Sequence, residues 1–404
     1  MTDAPGPLEG VRVLDLTSMI SGPIATMMLA DQGADVIKVE SPEGDLVRQM
    51  GANRGGVSAS FISANRSKRS IALDLKSAEG RRALERLIGG ADVFVQNFRP
   101  GAIERMGFGE DAVRKQRADI VYVSISGFGE TGPYAHKRVY DPVIQALSGL
   151  AAIQADRETN RPRMVRTIIP DKTTAVTAAQ AITAALFARE RAAREGTKRG
   201  QHVRLSMLDT MVAYLWPEGM TGLTFVGREV HASRAQIAQD LIFATTDGYI
   251  TAGAVSDAEW RGMCRALEHR EWLEDPRFKS TNDRVVNVKE RLALTADVLK
   301  TRSSAEWLVR LDAEGVPCAP VLSREDVIEH EQVRTNALIE EFDHPFAGRV
   351  RQPRPAARFE KTPARIRRPA PRLGEHGREV LSEAGFTAVE VDALVAGGVL
   401  RLPG

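Results

Sequence analysis

The sequence predicts an α/β fold built on a parallel sheet. Two observations carry that expectation. Short apolar runs with strand character alternate with helix-patterned stretches through the first half of the chain. The connections between them are short, and strand–helix–strand units of that kind give parallel strands joined by right-handed crossovers.

Taken in order, Val11-Arg-Val-Leu-Asp-Leu16 reads as a buried strand. Thr17 to Ser21 is a loop, and Gly22-Pro23 opens a helix that stops at Gly33. Asp35 to Glu40 is a second strand, Ser70 to Leu75 a third, Asp92 to Gln96 a fourth and Ile120 to Ser126 a fifth. Ser77 to Ile88 is a helix with a serine cap and Gly89-Gly90 at its end. Gln201 to Asp209 is a further strand passing into a helix. Thr221 to Asp240 is polar and reads as a linker or mobile loop. Asp247-Gly248 then sits between two strand-like runs, which predicts a hairpin. Helices follow near Glu259 to Leu267, Val288 to Thr301 and Ser304 to Ala313, and the prolines of Gly315 to Leu322 suit an edge strand. From His330 the chain reads as extended and proline-rich, then helical from Glu375. The expected division is residues 1–220, a small α+β domain over 221–329, and a return segment over 330–404.

Composition narrows the function. The 404 residues suffice for two or three domains and a large core. The formal charge is +2, with no domain-wide basic excess to mark nucleic acid as a partner. Cys264 and Cys318 form neither a metal spacing nor a disulfide framework, which suits a reducing, cytoplasmic setting and no metal. Met1 to Gly10 shows no signal pattern, and no run approaches the ~18 apolar residues that cross a membrane. Glu40 closes the second strand where a ribose-binding acid of an NAD enzyme sits. The glycine fingerprint is absent, however: the first glycine after Asp15 is Gly22.

Chemistry concentrates in two places. In Arg166-Thr-Ile-Ile-Pro-Asp171-Lys172, Asp171 falls at or just before the first turn of a helix reaching Phe187. The helix start and Lys172 both favour its ionised form, as a carboxylate nucleophile requires. An aspartate there is also an ordinary helix cap. Secondly, Arg66, Lys68, Arg69, Lys76, Arg99, Arg105, Lys137 and Arg138 gather near loops between strands and helices. They are either solvated surface charges or a rim for a phosphorylated ligand.

Several motifs, in this order, resemble the class III CoA-transferases. They are Leu8 to Thr17, Gly22-Pro23, Gly33 to Glu40, Asn65 to Ile71, Leu73-Asp-Leu-Lys76, Asn97-Phe-Arg-Pro-Gly101, Ser124 to Gly129, Gly132-Pro-Tyr134 and Leu373-Gly-Glu-His376. That family includes formyl-CoA transferase, carnitine CoA-transferase and the α-methylacyl-CoA racemases. The resemblance implies a Rossmann-like large domain built from both chain ends, a small domain between, and an interlocked homodimer. It implies acyl-CoA and a small carboxylic acid as substrates, with coenzyme A as part of the substrate and no tightly bound cofactor. It assigns the active-site aspartate to Asp171 and the CoA contacts to Leu73, Lys76, Asn97, Phe98, Arg105, Met106, Arg138 and Tyr140, with Met207 beside them. The implied reaction passes through an acyl-aspartyl anhydride and an aspartyl-CoA thioester.

Three departures matter. Ile20 stands where formyl-CoA transferase has a glutamine, and no glycine-rich run follows Val226. The racemases carry His-Asp where this chain has Tyr140-Asp141. Tyrosine, with a pKa near ~10, is a poor base at neutral pH. The expectation is therefore a transferase. A racemase and a non-catalytic acyl-CoA-binding protein are the alternatives.

Overall fold

The computed structural model describes residues 4–156, 158–197, 199–227 and 240–403. The chain divides into two compact units, Met1–Leu215 with Leu338–Gly404, and Trp216–Ala337.

The first unit is organised by parallel strands β1 (Arg12–Asp15), β2 (Asp35–Glu40), β3 (Arg69–Leu73), β4 (Val93–Gln96), β5 (Val121–Ser126) and β6 (His202–Ser206). Their spatial order is β3-β2-β1-β4-β5-β6, every neighbouring pair parallel. The order reverses direction at β1. The chain therefore leaves β1 and β4 on opposite sides, and a crevice opens beyond their carboxyl ends.

Successive strand residues point to opposite faces. Leu14, Ile37, Ile71, Phe94 and Tyr122 face one way, onto Leu84, Leu87 and Ile88 of helix α1 (Ala78–Gly89). Val13, Val36, Val93, Val121 and Val123 face the other way. There they meet two helices that begin at the crevice. The first, the β1 helix (Ser21–Asp31), is the helix that follows β1. The second is α2 (Ile169–Arg194), whose Ala175, Ala178, Ala179 and Ile182 let it approach closely. Both faces are covered, so the strands are apolar on both sides. Fully burying each Val, Leu or Ile contributes about 1.5–3 kcal/mol.

The second unit carries an antiparallel sheet of β7 (Ile242–Ala244), β8 (Tyr249–Ala252) and β9 (Cys318–Pro320), with β9 at its edge. The Asp247-Gly248 hairpin forms between β7 and β8. Helices Asp257–Ala266, Val288–Leu299 and Ser304–Ala313 close over Phe243, Ile250, Trp260, Phe278 and Trp307. Of the expected Thr221 to Asp240 linker, residues 228–239 lie outside the described residues, as does most of the stretch after Val226 where a glycine-rich run is missing.

The return segment differs from its expectation. It is not extended from His330: two short helices, Arg324–Glu329 and Glu331–Thr335, precede a hairpin of β10 (Ile339–His344) and β11 (Gly348–Pro353). Gly348, at φ 67°, sits where the chain re-enters β11. Phe346, Ala347 and Val350 pack on Val47, Phe61 and Ile62, and that burial fixes the hairpin. The chain then runs beside residues 67–70, with Ser67 N–H donating to Arg368 O and His376 N–H to Ser70 O, both at 2.9 Å. After helices Gly377–Glu383 and Ala388–Ala396, β12 (Leu400–Arg401) pairs antiparallel with β3. The sheet is thus seven-stranded and largely parallel, with one antiparallel edge.

Candidate active site

The crevice is built on buried charge. Asp15, at the end of β1, accepts from Lys68 Nζ at 2.8 Å, Thr26 Oγ1 at 2.7 Å and Thr17 N–H at 2.9 Å. Lys38 Nζ donates to Thr17 O at 2.8 Å and to Asp45 Oδ2 at 3.0 Å. Burial pushes the Asp15 carboxyl up, but the Lys68 and Lys38 ammonium groups more than offset it and hold it well below the usual range. Burial lowers Lys68 to about 8 against the pull of Asp15. Glu40 accepts from Arg48 at 2.8 and 2.6 Å and from Ser70 Oγ at 2.9 Å. That carboxylate is occupied, which removes the ribose-binding role.

These pairs correct the basic-rim expectation in part. Arg66, Lys68 and Arg69 are buried against Asp31, Asp15 and Asp35 respectively. Their partners come from the β1 helix, β1 and β2, so consecutive basic residues serve the interior. Lys76, Arg99, Arg105, Lys137 and Arg138 remain exposed.

Asp171 lies inside the first turn of α2, not at its cap, which is Ile168. Asp171 N–H donates to Oδ2 of buried Asp141 at 3.2 Å, and Gln145 holds Asp141 from the other side at 2.6 Å. The expectation that the helix start and Lys172 keep Asp171 ionised needs correction. Lys172 Nζ turns to Thr167 Oγ1 at 2.9 Å. Burial, then the charge of Asp141, pushes the Asp171 carboxyl up to about 6, and the nearby Ser21 hydroxyl and N–H pull it the other way. It is still mostly ionised at neutral pH.

Asp171 opens on a cavity of about 270 Å³ lined by the loop 18–21, by Asn97–Pro100, by Ile125–Gly127 and by 137–140. Asn97, Phe98, Arg138, Tyr140 and Met207 share this cavity with Asp171. Leu73, Lys76, Arg105 and Met106 line a second cavity, and Phe98 lines both. The Leu73 side chain is fully buried in the core, so it shapes that cavity's floor. The sequence reading missed Ser21; its only local signal is a hydroxyl residue directly before Gly22-Pro23. Among the described residues there is no cluster of metal-binding side chains, and no helix is long and apolar enough to cross a membrane.

A family model described as CoA-transferase family III matches residues 8–377. The chain belongs to that family. Among named relatives of family III, it is 35% identical to the succinyl-CoA:glutarate CoA-transferase of Mus musculus, over 99% of this chain and 91% of that protein. It is 33% identical to the formyl-CoA:oxalate CoA-transferase of Streptomyces coelicolor, over 97% and 99% respectively. A solved CAIB/BAIF family protein from Brucella suis superposes with a TM-score of 0.80 at 30% identity, covering 94% of this chain and 100% of that one. As a member of CoA-transferase family III, the chain is an enzyme.

Proposed function

We propose that this family III enzyme moves CoA from an acyl-CoA donor to a free carboxylic acid through covalent chemistry at Asp171. One observation carries the reading: among the described residues lining the crevice cavity, Asp171 is the sole carboxylate. Its Oδ attacks the donor thioester carbonyl, the C–S bond breaks, and an acyl-aspartyl anhydride and CoA thiolate result. The thiolate then attacks the aspartyl carbonyl and expels the donor acid, leaving an aspartyl-CoA thioester. The acceptor carboxylate repeats the two steps in reverse. The Ser21 hydroxyl and N–H lie beside this carboxyl and stabilise the negative charge that develops on the aspartyl carbonyl oxygen when the thiolate attacks it. The CoA moiety lies along the second cavity, with Phe98 between the two and Lys76, Arg105 and Arg138 for its phosphates.

Short dicarboxylic acids, the class in a relative's name, suit the acceptor side. Arg99 and Lys137 line the same cavity, Lys137 Nζ resting 3.4 Å from the centre of the Tyr134 ring, and both supply positive charge for a distal carboxylate. No histidine lines the cavity, and His136 is exposed outside it, so the base a racemase needs is missing among these residues. The Rossmann-like reading of the large unit rests on its strand order. The interlocked homodimer belongs to the same proposal, supported by an apolar groove between the β1 helix, α2 and the return segment, where Phe187 is 70% and Val176 55% exposed.

Asp171→Ala should abolish turnover without unfolding the protein. Hydroxylamine should inactivate the wild type only once donor acyl-CoA is present. Near-normal turnover by Asp171→Ala would sink the mechanism. With succinyl-CoA as donor, dicarboxylic acceptors should outperform monocarboxylic ones of equal length.

A further inference from the structure

We infer that Asn97 is a positioning residue: with Lys38 and Asp45 it fixes the loop after β1 so that Ser21 meets Asp171. This rests on Asp171 being the reacting carboxylate. The Asn97 amide captures both backbone groups of Ser18. Ser18 N–H donates to Asn97 Oδ1 and Asn97 Nδ2 donates to Ser18 O, each at 2.9 Å. On one side, Thr17 O accepts from Lys38 Nζ at 2.8 Å. On the other, Met19 N–H donates to Asp45 Oδ1 at 3.2 Å. Three consecutive residues are therefore held by side chains from β2, from the loop after it, and from the end of β4.

The need for such holding is visible in the backbone. Met19 sits at φ 68°, a left-handed conformation that costs a non-glycine residue on the order of 1 kcal/mol or more. The three contacts offset that cost. Two residues further on, Ser21 starts the β1 helix and lines the same cavity as Asp171, where its hydroxyl and N–H act on that carboxyl. Between β1 and Ser21 the chain has no regular structure of its own, so the position of those donors is set by the clamp. Both ends of the Asn97 amide are engaged by Ser18. This moves Asn97 from the CoA contacts to the support of the loop.

The consequence reads out on ionisation. The groups around Asp171 are Asp141 behind it, Ser21 beside it, Lys172 next in the chain and turned to Thr167, and Arg99, Lys137, Arg138 and Tyr140 across the cavity. Of these, the Ser21 donors depend on the loop. Loosening the clamp weakens them and destabilises the carboxylate, so Asp171 holds its proton to higher pH.

The test is Asn97→Ala in the full enzyme. The acid limb of kcat/KM, which reports the free enzyme, should move up by about 0.5–1 pH unit. The affinity for free CoA should stay within about twofold, and most of the loss at pH 6.5 should appear in kcat. In a Ser21→Ala background the same substitution should move the limb by less than half as much, since the two act through one contact. Weaker CoA binding with an unmoved limb would make Asn97 a ligand contact and overturn the inference, and additive shifts would do the same. Asp171→Ala, assayed in parallel, separates the failures. If it is inactive while the Asn97→Ala limb stays put, the clamp alone is wrong; if it is active, the nucleophile assignment falls first.

Discussion

At the scale of the residue, Asp171 is held in a state that favours reaction over stability. Burial and Asp141 raise the proton affinity of the folded carboxyl from 3.8 to about 6. Between those values folding takes up a proton, so this group's contribution to stability falls as pH rises through the window, and above about 6 the full cost remains. The cost at pH 7 is about 3 kcal/mol at most. Asp171→Asn should therefore raise the unfolding midpoint at pH 7 by a few degrees, and the gain should shrink as pH falls towards 4; calorimetry across that range checks it. Asp141→Asn removes the like charge, so the acid limb of kcat/KM should move to lower pH. A limb that stays in place would show that Asp141 acts on Asp171 only through the backbone bond. The run Ile168-Ile-Pro-Asp171 marked a carboxylate near a helix start, and the helix does begin at Ile169. Its raised proton affinity was not legible, because the burial and the Asp141 charge that cause it come only with the fold. Arg66, Lys68 and Arg69 look like a solvated basic cluster for the same reason: the acids that bury them are remote in sequence.

At the scale of the element, the start of the β1 helix depends on close approach. A Cβ on Gly22 would lie 2.4 Å from Thr17 Cβ. Gly22→Ala must push the loop after β1 away from its clamp. It should cost about 1–3 kcal/mol by denaturant titration and lower kcat more than it raises KM. The parallel strands were legible because burial on both faces leaves near-continuous apolar runs bounded by turns. The hairpin of β10 and β11 was not. Ile339-Glu-Glu-Phe-Asp-His344 carries four polar residues in six, and its stability comes from Phe346 and Ala347 seated on a distant cluster. The edge strand β12 is two residues long, too short for any periodicity.

At the scale of the whole molecule, ligand binding should raise the melting temperature. Free CoA at about 100 times its Kd adds about 2.7 kcal/mol, and NAD should add nothing because Glu40 is occupied. Sedimentation should give a dimer. Phe187→Glu, on the exposed apolar groove, should shift it towards the monomer. A second consequence follows from β12 and the segment before it. Ser70 on β3 is bonded to His376, 306 residues later, and β12 covers the β3 edge only after that. During translation at about 5–20 residues per second, β3 leaves the ribosome roughly 15–60 s before those partners exist. Throughout that interval its edge is an open template for other strands. Synthesis of this protein thus includes a vulnerable period set by chain order, and a nascent-chain holdase that occupies the β3 edge would protect it until the last residues arrive.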